Sequence, residues 1–233
     1  VTGGLTNTPQ DFQRLSRALE ATLHVVDNPL YLGKVQTGNL RQDEEVVACI
    51  MARIAIEQNC KGLIGHSRGG IVTLLAARHM KDEHDVDLDN IILISPPSAS
   101  NWSPDGYRRT DDEPGVLNAV LTGLTKTMTD TIFREMFRRH AVVYGKNFQK
   151  TQRKISPGKE PISVEHINNL VNTFHGNLLL VVGSRDPWHD PKRLKAMHRP
   201  KKNVETVYIA DTSHFPHIEA PQEVAQAIHD WQG

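Results

Sequence analysis

Residues 61–80 read Lys61-Gly62-Leu63-Ile64-Gly65-His66-Ser67-Arg68-Gly69-Gly70-Ile71-Val72-Thr73-Leu74-Leu75-Ala76-Ala77-Arg78-His79-Met80, and the pattern changes at the centre of that run. Lys61 to Gly65 is short, apolar and stopped by glycine, which reads as a strand. Ile71 to Met80 is apolar on most sides, as a helix packed on a sheet would be. Between them, Gly65 to Gly70 has to turn the chain from strand to helix. A serine in such a turn is strained, and the small residues around it let the backbone pass close while the hydroxyl projects above the sheet. The first N–H groups of the following helix point at the same spot and favour a developing negative oxygen. Gly-x-Ser-x-Gly alone is a weak pattern. The strand-turn-helix context makes Ser67 a candidate nucleophile rather than part of a structural glycine turn.

Working outward, helix and strand alternate on both sides. Upstream, Val46, Val47, Ile50, Met51 and Ile54 form one stripe on a helix of about 42–58, and Leu23 to Asp27 reads as a strand stopped by Asn28-Pro29. Thr8-Pro9-Gln10-Asp11 starts a helix over about 9–21, with proline at the first helical position. Downstream come a strand at Asn90 to Ser95, ended by Pro96-Pro97, and another at Asn177 to Gly183. A helix near 190–198, a strand at Val204 to Ile209 and a last helix from Pro221, carrying Val224, Ile228 and Trp231, complete the series. The alternation predicts an α/β fold with a mostly parallel sheet and helices on both faces.

Residues 98–165 break the rhythm with three turn clusters and helical patterns over 116–126 and 130–144. They read as a mostly helical insertion, because their apolar content is too low to close a core. One structural domain is expected: a first core part over 1–97, the insertion over 98–165 and a second core part over 166–233.

Composition narrows the function classes. In 233 residues, Lys+Arg 27 balance Asp+Glu 27, so no global field argues for a nucleic-acid or membrane partner. The apolar runs are far shorter than the ~20 residues of a membrane span. Two cysteines, Cys49 and Cys60, leave no disulfide framework, and no signal-peptide pattern opens the chain, so a cytoplasmic location is expected.

Serine needs a histidine base, itself oriented by a carboxylate. With 12 histidines available, placement after a late strand selects among them, since such residues converge on one edge of a parallel sheet. Asp186, in Gly183-Ser184-Arg185-Asp186-Pro187, follows one strand. His214, in Thr212-Ser213-His214-Phe215-Pro216, follows the next. Asp190 and His217 stay open as alternatives, Asp190 reading better as a helix N-cap before Pro191. His66 is expected to pack or hydrogen-bond beneath the turn. Metal binding is not expected, because no pair of histidines has ligand spacing on a common element.

Ser67, Asp186 and His214, in that order and with room for the insertion before the acid, resemble the α/β-hydrolases of the lid-bearing serine esterase type. The likeness covers nearly the whole chain. It makes 98–165 a lid and implies an oxyanion hole formed by the backbone N–H groups of Arg68 and of Leu5, in Gly3-Gly4-Leu5-Thr6-Asn7-Thr8, with Gly4 permitting close approach. Only Val1-Thr2 precede this loop where the family carries a full strand; either that strand lies outside this sequence or it is trimmed, and only in the second case is weaker backing for the hole expected.

The resemblance implies a serine hydrolase for a small carboxylic ester or thioester, acting without cofactor on a small-molecule acyl substrate, as a monomer or homodimer. Trp102, Trp188 and Phe215 are candidates to line an acyl pocket, or ordinary packing. Lid cations including Arg134, Arg138 and Arg139, with Arg68 if it turned inward, would suit an anionic substrate; the alternative is a solvated charged face. Rival readings are a C–C bond hydrolase or lyase on an anionic substrate, and a low-turnover ligand-binding member of the same fold.

Overall fold

The computed structural model describes residues 9–26, 40–96, 164–186 and 203–233. After a 3₁₀ turn at Pro9–Phe12, the elements run α1 (Gln13–Ala18), α2 (Leu40–Glu57), β1 (Gly62–His66), α3 (Gly69–His84), β2 (Asn90–Ile94), α4 (Val164–Thr173), β3 (Asn177–Gly183), β4 (Val204–Ile209), α5 (Pro216–Glu219) and α6 (Pro221–Gln232). The four strands form a sheet in the order β1-β2-β3-β4. All pairs are parallel, with Gly62 opposite Asn90, Asn90 opposite Asn177 and Leu178 opposite Val204. The C-terminal ends therefore share one edge.

The continuous apolar runs follow from burial on both faces, because successive strand side chains point to opposite sides. Leu63, Ile91, Leu93, Leu178, Leu180 and Val182 enter one core with α2, α3 and α4. Ile64, Ile92, Ile94, Leu179 and Val181 enter a second with Leu15 of α1 and Val224 and Ile228 of α6. Each such side chain contributes roughly 1.5–3 kcal/mol by leaving water. The expected parallel sheet with helices on both faces is what the structure has.

Three local expectations need correction. The stripe expected on α2 is turned: Val47 and Met51 are buried, but Val46 and Ile50 are exposed at 39% and 38%. The face packed inward is completed by Ala48, Ala52 and Ala55, small residues that let α3 approach closely. In the run expected as a strand from Leu23, residues 22–25 are irregular and Val26 alone is bridged. Leu23, His24 and Val26 border a cavity of about 420 Å³ together with Gly62 to Ile64, and no ladder extends from the Val26 bridge among the described residues. Finally, α4 was not expected, although Ile167, Leu170 and Val171 have helical spacing and are all buried. The expected helices over 116–126, 130–144 and near 190–198 lie outside the described residues, as does the insertion up to residue 163.

Candidate active site

Ser67 follows β1 directly and has φ +51°, a left-handed conformation that costs a non-glycine residue about 1–2 kcal/mol. Its neighbours hold it there. Ser67 N–H donates to Ile94 O at 2.8 Å, and Gly70 N–H and Ile71 N–H donate to Ser67 O and Arg68 O at 2.9 and 3.0 Å, starting α3. A Cβ on Gly65 would lie 2.7 Å from both Gly69 O and Gly70 Cα, so the turn needs glycine there. The serine is partly exposed.

Asp186 stands three residues beyond β3, and its Oδ2 accepts a hydrogen bond from His214 Nδ1–H at 2.7 Å, both side chains being almost fully buried. The loops after β3 and β4 are fastened to each other. Ser184 N–H donates to Ile209 O at 3.0 Å, Arg185 N–H to Thr212 O at 2.9 Å, and Asp211 N–H to Ser184 Oγ at 2.9 Å; Arg185 and Asp211 form an ion pair. At Gly183, a Cβ would come within 2.6 Å of Thr212 O and into Ser213 O, so only glycine lets the histidine loop lie on the end of β3. Glu219 of α5 accepts from Ser213 N–H at 3.2 Å and from the Ser213 hydroxyl, fixing the residue before His214. Burial raises the Glu219 carboxyl above its ordinary range against the lowering effect of those bonds.

The histidine loop is also tied back to the serine turn. His66, expected beneath the turn, is buried there and donates from Nε2–H to the His214 carbonyl oxygen at 2.8 Å. The carboxylate thus bonds His214, whereas His217 is buried, stacked on Phe12 at 5.0 Å and 4.5 Å from the His66 ring centroid. Burial first, then nearby histidines, push His66 well below its ordinary range and His217 down to about 3. Both are neutral at pH 7. Phe215, a candidate for the acyl pocket, is instead 1% exposed and packed against the His66 and His214 rings at 5.1 and 5.3 Å. Its surface is taken up by the histidines.

The Arg68 side chain is buried, and its Nε–H donates to Glu44 Oε1 at 2.7 Å. Burial raises the Glu44 carboxyl despite that neighbour. Nothing around Arg68 in the sequence announces the pairing, because Glu44 lies on α2 and meets α3 only in the folded chain; Gly183 and Glu219 are equally silent until the loops are packed. Gly4, Leu5, Trp102, Trp188, Asp190 and the lid cations lie outside the described residues. The cavity beside β1 reaches Lys61, Gly62 and Asn90, where β1 and β2 begin, at the edge of the sheet opposite Ser67.

The alpha/beta hydrolase family profile matches residues 3–227. No curated protein matches the chain by sequence. Among solved structures, a thermophilic esterase from Thermogutta terrifontis is 18% identical with a TM-score of 0.65, the match covering 99% of this chain and 87% of that one. A carboxylesterase from Bacillus subtilis is 15% identical with a TM-score of 0.69, covering 100% and 81%. The 2-hydroxy-6-oxo-6-phenylhexa-2,4-dienoate hydrolase of Rhodococcus sp. strain RHA1 is 12% identical with a TM-score of 0.72, covering 100% and 88%. At these identities the likeness is one of fold. Among the described residues, no helix is long and apolar enough to cross a membrane.

Proposed function

The chain belongs to the alpha/beta hydrolase family, and on that footing we propose that it is a serine hydrolase that cleaves a small carboxylic ester or thioester. The observation that carries the reading is the buried 2.7 Å hydrogen bond between His214 and Asp186, in a loop bonded through His66 to the turn that holds Ser67. In the proposed course, Ser67 Oγ attacks the acyl carbon as His214 Nε2 takes its proton. Asp186 keeps the other ring proton on Nδ1 and balances the imidazolium. The tetrahedral oxyanion is held by the N–H groups of Arg68 and Leu5. His214 returns the proton to the departing alcohol or thiol, leaving an acyl-serine. It then draws a proton from water as the water attacks, and release of the carboxylic acid restores Ser67.

Esterase and carboxylesterase names among the structural neighbours support the substrate class. An anionic substrate, as a C–C bond hydrolase or lyase would use, requires cations other than Arg68, whose guanidinium is bound to Glu44. The test is intact-mass labelling with a fluorophosphonate, followed by turnover of p-nitrophenyl acetate and butyrate. One adduct on the parent chain, absent in Ser67→Ala and His214→Ala, together with turnover, is expected. A folded protein that takes no adduct would overturn the hydrolase reading and favour a ligand-binding role.

A further inference from the structure

Where α2 packs on α3, the two helices each bring a pair of polar side chains one turn apart to the same place. Helix α2 supplies Glu45 and Cys49, and α3 supplies His79 and Glu83, each pair at the i, i+4 spacing that puts side chains on one face. Cys49 Sγ, a ring nitrogen of His79 and a carboxylate oxygen of Glu83 all lie within 4.8 Å of one another. His79 Nδ1 is 2.6 Å from Glu83 Oε1, His79 Nε2 is 2.9 Å from Glu45 Oε2, and Cys49 Sγ is 3.7 Å from both ring nitrogens. Glu45 is in turn held by Arg78, whose Nη2 donates to both of its oxygens at 2.9 Å.

We propose that Cys49, His79 and Glu83 form a divalent-cation site of the zinc class between α2 and α3. A thiolate, an imidazole and a carboxylate make a ligand set suited to zinc, with a fourth position for water. The two carboxylates divide the work by their mobility. Glu83 is half exposed and can move, whereas Glu45 is pinned by Arg78. Glu45 therefore accepts the Nε2–H of His79 and fixes the tautomer, leaving Nδ1 as the ligand atom, which is the usual partner arrangement behind a metal-bound histidine.

In the structure, Sγ rests against the imidazole, equidistant from its nitrogens, so coordination needs the thiol to turn about χ1. Glu83 then exchanges its bond to Nδ1 for one to the cation. Binding releases the thiol proton and any proton on Nδ1. Burial, with the Glu83 and Glu45 charges behind it, pushes the Cys49 thiol up, and the same two charges attract a cation. The sequence reading set metal aside because no two histidines share an element at ligand spacing. The spacing here joins histidine to glutamate and glutamate to cysteine, and the two pairs meet only when the helices pack.

The test uses the full chain, stripped with a chelator and titrated with Co²⁺ as a spectroscopic probe for Zn²⁺. One equivalent should produce a thiolate-to-cobalt charge-transfer band and the intense visible bands of four-coordinate cobalt, both removed by Zn²⁺. Cys49→Ser should lose the charge-transfer band, Cys60→Ser should keep it, and Glu83→Gln, at an exposed position that does not endanger folding, should bind more weakly. Glu45→Gln should keep the band and weaken Co²⁺ binding by roughly 10- to 100-fold. No thiolate band in the folded parent chain, or a band that survives Cys49→Ser, would overturn the proposal and leave His79 as an imidazole bridging two carboxylates.

Discussion

Histidine is used in opposite ways at the two ends of α3. Beneath the serine turn, His66 and His217 are packed ring against ring with Phe12 and Phe215, and burial keeps them neutral. Between α2 and α3, His79 stands between two carboxylates, its own side chain 15% exposed and that of Glu83 half exposed. The dry end holds the His214 ring against Asp186 beside two neutral imidazoles. The wet end gathers negative charge and movable ligands, which suit a cation. Burial sets how much each residue matters: a polar group without water depends wholly on its protein partners, while an exposed one exchanges them cheaply.

That contrast can be broken most directly at the serine. Ser67→Ala and His214→Ala should each lower p-nitrophenyl butyrate turnover by about 10⁴-fold or more, and the double variant should do little further harm, since such residues act as a unit. Were His79→Ala to cost as much, the separation of the two ends would be wrong. Next in size is Glu44→Gln, which removes the carboxylate bonded to the buried Arg68 guanidinium. Urea unfolding should show a loss of about 3 kcal/mol, whereas a loss below about 1 kcal/mol would mean that water reaches the pair.

Acid should sharpen the comparison further. His66 and His217 have folded pKa values below their unfolded value of about 6.5, so the unfolded chain binds more protons beneath that pH. Their contribution to stability is complete above pH 6.5 and is lost as pH falls below it, for His217 down to about 3, at up to about 1.4 kcal/mol per pH unit for each histidine. Melting temperatures at pH 7 and pH 5 test this, and the decline should be shallower in His217→Gln. The smallest effect belongs to the wet end: without metal, Glu83→Gln should shift stability by less than about 0.5 kcal/mol, measured by the same urea unfolding.

Much of the fold was legible in local pattern. Asn177 to Gly183 and Val204 to Ile209 are strands over the expected residues: the first is a continuous apolar run that fits a covered parallel sheet, and the second is β-branched and half-exposed. The serine turn was legible for a related reason: Gly65 is demanded by backbone contacts only a few residues away. The run from Leu23 reads as a strand by itself, but a strand needs a partner in register, and among these residues only Val26 makes a bridge. Helix α4 is short and carries its spacing chiefly in Ile167, Leu170 and Val171, so it stands out little in local pattern.

The sequence by itself determined the alternation of elements, the turn at Ser67 and the order of serine, acid and histidine, since each depends on propensity and spacing within short segments. Only the tertiary structure decided that His214 rather than His217 meets Asp186, that Arg68 is bound to Glu44, and that Cys49 comes within reach of His79 and Glu83. Those pairings join residues far apart in the chain. They are set by which faces pack, and burial then fixes the energy of every polar group caught between them.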